Sequence, residues 1–333
     1  MFRITLILIS LFLNGCEFAT EEKNDNKQLR FSFAVAPHIA SMPWYLANEE
    51  GLFKQNKIDI NFISTNYDAT IDKFINKEVD AIVISNIDAV AKIVKANIPA
   101  DVILITNHSM GNHAIVGSSN NQNKKFIVSH HLACNYLLDR YLIRNQIPFE
   151  SVETMKAVKL EKYLSDKTVD GIVTHNPNLY KLTNNFGAKI VFDSHKINQE
   201  IFDVVLIHRE TLNNYPQFGQ ALLKVWFSIM NRLQGNKKGA TLDVLASLAH
   251  LSREAYEQQL ITTPLNDTAI KALAAIRNNN IRKSMRHLRY FVERHKLTNN
   301  KPFIKWISYP GRTPALLHFS GKHLQNFVYD VSS

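Results

Sequence analysis

The chain has 333 residues, 45% of them apolar, and only two cysteines, so its stability rests on a packed core rather than on a disulfide framework. A net charge of +10 raises nucleic acid as a partner, yet the basic residues are dispersed and no zinc-finger spacing or Gly-rich phosphate loop occurs, so no nucleic-acid partner is expected. The excess charge reads as a basic solvated surface, with attraction of anionic solutes or lipid headgroups as its second meaning.

The chain opens MFRITLILISLFLNGC: Arg3 supplies a positive start, residues 4–13 are rich in large apolar side chains, and Asn14-Gly15-Cys16 follow. This is the build of a signal peptide over 1–15, too short to span a bilayer as a helix. Cys16, directly after a small residue, resembles the lipobox cysteine whose thiol is diacylated and which becomes the new amino terminus. Plain cleavage and an uncleaved anchor are the alternatives. Glu17, in place of Asp, argues against retention at the inner membrane. Residues 16–29 are polar, charged and without apolar periodicity, and read as a flexible tether. With Cys16 lipidated, Cys134 has no disulfide partner. Removing residues 1–15 leaves about 318, which is one large or two medium domains.

From Arg30 onward, β-prone runs alternate with helical patterns. FSFAVA (31–36) leads to a helix over 43–54, IDINFI (58–63) to a helix over 68–77, and DAIVIS (80–85) to a helix over 87–96 before DVILIT (101–106). Apolar strands separated by helices of this length predict βαβ units on a parallel sheet. A second series follows with AIVGS (114–118), KFIVS (125–129), a helix from His130 to Arg144, MKAVKL (155–160), VDGIVTH (169–175), AKIVFD (188–193) and DVVLIH (203–208). Two α/β series imply two lobes with a groove between them: lobe one from 30–108 with 209–333, and lobe two from 109–208. Hinges are expected near 107–112 and 204–210. Beyond Arg209 the pattern is helical, over 216–234, 238–249, 253–260, 267–278 and 279–295, and the tail from Lys301 reads as irregular.

The segment Met42 to Phe62, MPWYLANEEGLFKQNKIDINF, resembles the nitrate/sulfonate/taurine-type solute-binding family of ABC importers. Tyr45, Ala47, Glu50, Gly51, Leu52, Phe53, Lys54, Ile58, Asp59 and Ile60 carry the pattern. Gly51 suits the left-handed cap that ends the helix there. Val79-Asp80-Ala81 with Ser85-Asn86-Ile87-Asp88-Ala89, Ser109 to Val116, SHHLACNYLL from Ser129, and Val169-Asp170-Gly171 resemble further family steps, covering about 30–260. The resemblance implies the two-lobed periplasmic binding protein type II fold with a C-terminal helical extension. It further implies a small-molecule solute, permease and ATPase partners, and no covalent chemistry. Two departures fall where family members contact solute: Asn112-His113 replaces Ala-Asp, and Asn176-Pro177 replaces Glu-Pro.

In open α/β sheets, ligands sit beyond the carboxyl ends of the strands. That rule selects His38 and Trp44 after the first strand, Ser85 and Asn86, His108, Ser109 and His113, Ser129 and His130, Thr174, His175 and Asn176, and Asp203. Ser85 and Ser129 stand at helix starts, where free amides hold an oxyanion or the serine merely caps its helix. Trp44 is a candidate cover for an apolar part of the solute. The histidines are donors for an oxyanion or ligands for a metal. No His-x-His or His-x₃-His pair sits on one element, so an anion is preferred and no metal or cofactor is expected. Cys134, among Leu132, Leu137 and Leu138, suits a buried, inert thiol.

The resulting expectation is a monomeric, lipid-anchored receptor outside the cytoplasm that closes on a small organic anion. Thiamine-pyrimidine or menaquinone-pathway enzymes of the same fold and a ligand-sensing lipoprotein without transport are the rivals, and the signal peptide argues against the cytosolic enzymes.

Overall fold

The computed structural model describes residues 29–117, 123–157, 159–298 and 305–332. The signal peptide, Cys16 and the tether up to residue 28 lie outside them. Among the described residues, no helix is long and apolar enough to cross a membrane.

The first sheet is built from β1 (Arg30–Val35), β2 (Asp59–Ser64), β3 (Ala81–Ser85) and β4 (Ala100–His108). The linking helices are α1 (Met42–Glu49) and α2 (Leu52–Gln55), then α3 (Tyr67–Ile75), then α4 (Asn86–Asp88), which continues through Ala89–Val94 in wider i→i+5 turns. Local chemistry sets these boundaries. Gly51, at φ 65°, separates α1 from α2, where the sequence predicts one helix over 43–54. The Asn66 side chain accepts the Ala69 N–H and starts α3. Every residue of β3 is buried, as a central strand requires.

The second sheet comprises β5 (His113–Gly117), β6 (Lys125–Val128), β7 (Glu153–Lys156), β8 (Gly171–His175) and β9 (Ile190–Asp193), with α5 (Leu132–Arg144) and α6 (Asn178–Phe186) packed on it. Its order is β7-β6-β8-β5-β9, and β5 runs antiparallel to both β8 and β9.

The chain then returns as β10 (Phe202–His208), which inserts between β3 and β4, antiparallel to both. With two short strands near the C-terminus, β11 (Ile307–Ser308) and β12 (Leu317–Phe319), the first sheet has the order β11-β12-β4-β10-β3-β1-β2. Residues 203–208, assigned above to lobe two, therefore belong to the first sheet, and the second crossing is 194–201 rather than 204–210. Both sheets are also mixed rather than parallel. The seven helices α7 (Arg209–Asn214), α8 (Pro216–Gln234), α9 (Lys238–Leu248), α10 (Arg253–Ile261), α11 (Ala269–Arg277), α12 (Asn279–Arg294) and α13 (Lys322–Ser332) follow, and the tail holds β11 and β12. Those strands lie within 301–319, where the sequence reads as irregular, and α13 follows it.

The two crossings run side by side. Ser109 N–H donates to Ile201 O at 2.9 Å, the Ser109 and Ser194 hydroxyls are 2.8 Å apart, and Ser194 Oγ accepts the Gly111 N–H at 2.8 Å. Gly111 has φ +102°, a backbone conformation that favours glycine, and a Cβ there would stand 3.0 Å from His195 Nδ1. Helix α12 reaches across to the second sheet's α5: Asp139 accepts from Arg294 and lies 3.0 Å from His295 Nε2, while Tyr136 meets Phe291 edge-on at 5.2 Å.

Candidate functional site

A cleft of about 490 Å³ opens where the ends of β1, β2, β3 and β10 in one sheet face β5, β8 and the start of α5 in the other. Its first-sheet wall is a polar network. The Tyr67 hydroxyl donates to Asp88 Oδ2 at 2.9 Å and accepts the Ser85 N–H at 3.0 Å. Ser85 Oγ donates to the same Oδ2 at 2.8 Å and accepts the Asp88 N–H at 3.0 Å, capping α4. Asp88 Oδ1 pairs with Lys92 Nζ at 3.5 Å. Asp203 also lines the cleft; its Oδ2 accepts from Asn107 Nδ2 at 2.9 Å, and among the described residues it makes no ion pair with Lys or Arg.

The opposite wall is imidazole. His113 and His175 stack with ring centroids 5.3 Å apart, and His131 meets His175 edge-on at 4.4 Å. Burial, with the charges of His131 and His38 adding, drives His113 down to about 3. Burial likewise holds His175 well below the usual imidazole range, and lowers His38 and His131 against the pull of Asp203 and Asp88. These four rings are therefore neutral near pH 7. Burial pushes the Cys134 thiol up to about 12, so it is no nucleophile. Among the described residues lining the cleft there is no Arg or Lys.

No protein-family model and no curated protein matches the sequence. Solved structures do resemble it. The periplasmic aliphatic sulphonate binding protein of Escherichia coli superposes with a TM-score of 0.66 at 13% identity, over 83% of this chain and 96% of that one. A Candida albicans protein with the generic periplasmic binding protein fold gives 0.63 at 16% identity, over 79% and 90%. The periplasmic nitrate-binding protein of Synechocystis PCC 6803 gives 0.54 at 10% identity, over 69% of each chain. The chain has the periplasmic binding protein fold.

His38, Ser85, His113, Ser129, His130, His175, Asn176 and Asp203 line the interlobe cleft. Five other candidates do not. Trp44 is 1% exposed, on the inner face of α1, against Phe33 and Trp226. Asn86 turns inward to donate to Glu200 O and accept the Phe202 N–H, which pins the second crossing. Ser109 bonds His113 Nδ1 and Ser194 between the crossings. Thr174 alternates to the opposite face of β8 from His175 and is buried beside Ala114, its register partner. His108 lines a separate cavity with Phe202 and Gln199.

Tyr67, Asp88 and His131 are cleft residues that the sequence reading leaves out of its site. Applying the strand-end rule to β2 finds Tyr67, three residues beyond Ser64. Asp88 carries no such signal, because its placement depends on the turn of α4.

Proposed function

We propose that this protein is an extracytoplasmic solute receptor of an ABC-type importer, held to the membrane through a lipid on Cys16, which captures a small polar solute between its lobes. The observation that carries the reading is the cleft itself: polar side chains from two sheets face one another across it, and only residues 109–112 and 194–201 carry the chain between those sheets. The likeness to binding proteins for sulphonate and nitrate supports a receptor over an enzyme of the same fold.

Charge narrows the solute. Asp203 favours a cationic or hydrogen-bond-donating group on its side of the cleft. An anionic group, the class expected from the sequence, finds the start of α4 already capped by Ser85, with the Asp88 carboxylate bonded to that serine, and the imidazoles neutral. Its remaining place is the start of α5, where Ser129, His130 and Ala133 line the cleft.

Mass spectrometry of small molecules released from the purified protein identifies the solute. With it bound, solution scattering should give a smaller radius of gyration, and at a hundredfold excess over Kd the folded state should gain about 2.7 kcal/mol. Asp203→Asn should weaken a cationic solute by roughly tenfold to a hundredfold, while Ser129→Trp should abolish compaction and leave the apo fold intact. Chemical conversion of the solute, or tight binding without compaction, defeats the reading. The anchor has its own check: a fatty-acid analogue should label the wild type and not Cys16→Ser, and equal labelling removes the lipid.

A further inference from the structure

We propose that His113, Cys134 and His175 form a transition-metal site in the imidazole wall of the cleft, suited to a borderline-soft divalent ion such as zinc. The ligand atoms of all three lie within 4.8 Å of one another. Cys134 Sγ and His175 Nδ1 are 3.7 Å apart. In a tetrahedral site with Zn–S of about 2.3 Å and Zn–N of about 2.0 Å, that S···N edge measures about 3.5 Å. One edge of the tetrahedron therefore already has its bound length. The others need to contract by at most about 1.5 Å.

The fold brings the three together from separate elements. His113 and His175 are direct partners in the antiparallel β5–β8 register, so both side chains leave the sheet on one face. Helix α5 packs on β5 and β8, with Cys134 in its first turn. The ligand orientation is also supported. The Ser109 hydroxyl lies 2.8 Å from His113 Nδ1 and is itself held 2.8 Å from Ser194 Oγ, which fixes the ring and leaves Nε2 for the ion.

One thiolate and two imidazoles select zinc over calcium or magnesium, which take oxygen ligands. The Cys134 thiol proton leaves to solvent on coordination, one per ion bound. His113 and His175 both line the cleft, so His131, edge-on to His175 at 4.4 Å, or a donor atom of the solute is the candidate fourth ligand. The metal-free account of the same geometry is a thiol hydrogen bond from Cys134 to His175. The two accounts differ in a measurable way.

The test uses the full chain carrying Cys16→Ser, which leaves Cys134 as its one thiol. After treatment with a chelator, the protein is titrated with cobalt(II). Saturation at one equivalent is expected, with a thiolate-to-cobalt charge-transfer band, the visible bands of a tetrahedral site, and displacement by zinc. Adding His113→Gln should weaken cobalt binding by about tenfold or more. The absence of a thiolate band at saturating cobalt overturns the site, as does a band undiminished in the His113→Gln protein. Solute-driven compaction is a separate readout, so the receptor reading stands or falls independently.

Discussion

Trp44→Ala should lower the unfolding free energy by about 3–5 kcal/mol and leave the solute affinity of the folded protein unchanged. The indole is 1% exposed and meets Phe33 edge-on at 5.1 Å and Trp226 at 5.0 Å. Met42, Pro43, Trp44, Leu46 and Ala47 are the buried face of α1, so truncation leaves a void between α1, β1 and α8 that rigid neighbours fill only in part. Denaturant unfolding reads the first effect, and calorimetric titration of the folded variant reads the second. A variant that keeps its stability but loses affinity would put Trp44 in the cleft after all.

Acidification should expose a second large term, located at His108. Burial drives this imidazole down to about 4 against the opposing pull of Asp203, while the unfolded chain titrates near the ordinary 6.5. As pH falls below 6.5, the unfolded state takes up the proton first, so it is stabilised and the fold loses free energy until the pH reaches about 4. At pH 4.5 the loss from this one group is about 2–3 kcal/mol, taking 1.36 kcal/mol per unit. Among the described residues His108 Nδ1 is buried without a hydrogen-bond partner, so His108→Leu removes a polar atom that none of them satisfies. The variant should lose less stability than the wild type between pH 7 and pH 4.5 by that amount. Equal losses measured by denaturant titration at the two pH values would clear His108 of the role.

Whether the cleft closes also depends on the contact between α5 and α12. Asp139 is buried and bound by both Arg294 and His295, and Tyr136 and Arg140 bond Glu200 at the end of the second crossing. These contacts tie α5 to the end of α12 and to the second crossing. Parting Asp139 from Arg294 would leave a buried carboxylate without its counter-charge, so a motion of one lobe against the other that keeps this pair is favoured over one that breaks it.

Features governed by neighbours along the chain were legible in the amino-acid sequence. Strand and helix periodicity places β1 to β4, and α8 to α12 within a few residues, because burial of one face imposes a local period. Gly51 ends α1 where a positive φ is needed, and the apolar surroundings of Cys134 announce a buried thiol. The strand-end rule gathers His38, Ser85, His113, Ser129, His130, His175, Asn176 and Asp203, since it needs only strand ends and chain order. Features governed by pairing across the chain required the tertiary structure. Residues 203–208 look like one more strand of the second series, and only their antiparallel insertion between β3 and β4 returns them to the first sheet. Trp44, Asn86 and Thr174 lie at strand ends or helix starts as expected, but which way each points depends on the element packed against it. The same holds for His113, Cys134 and His175: no spacing in the sequence relates them, and they meet because the β5–β8 register sets two imidazoles side by side beneath α5.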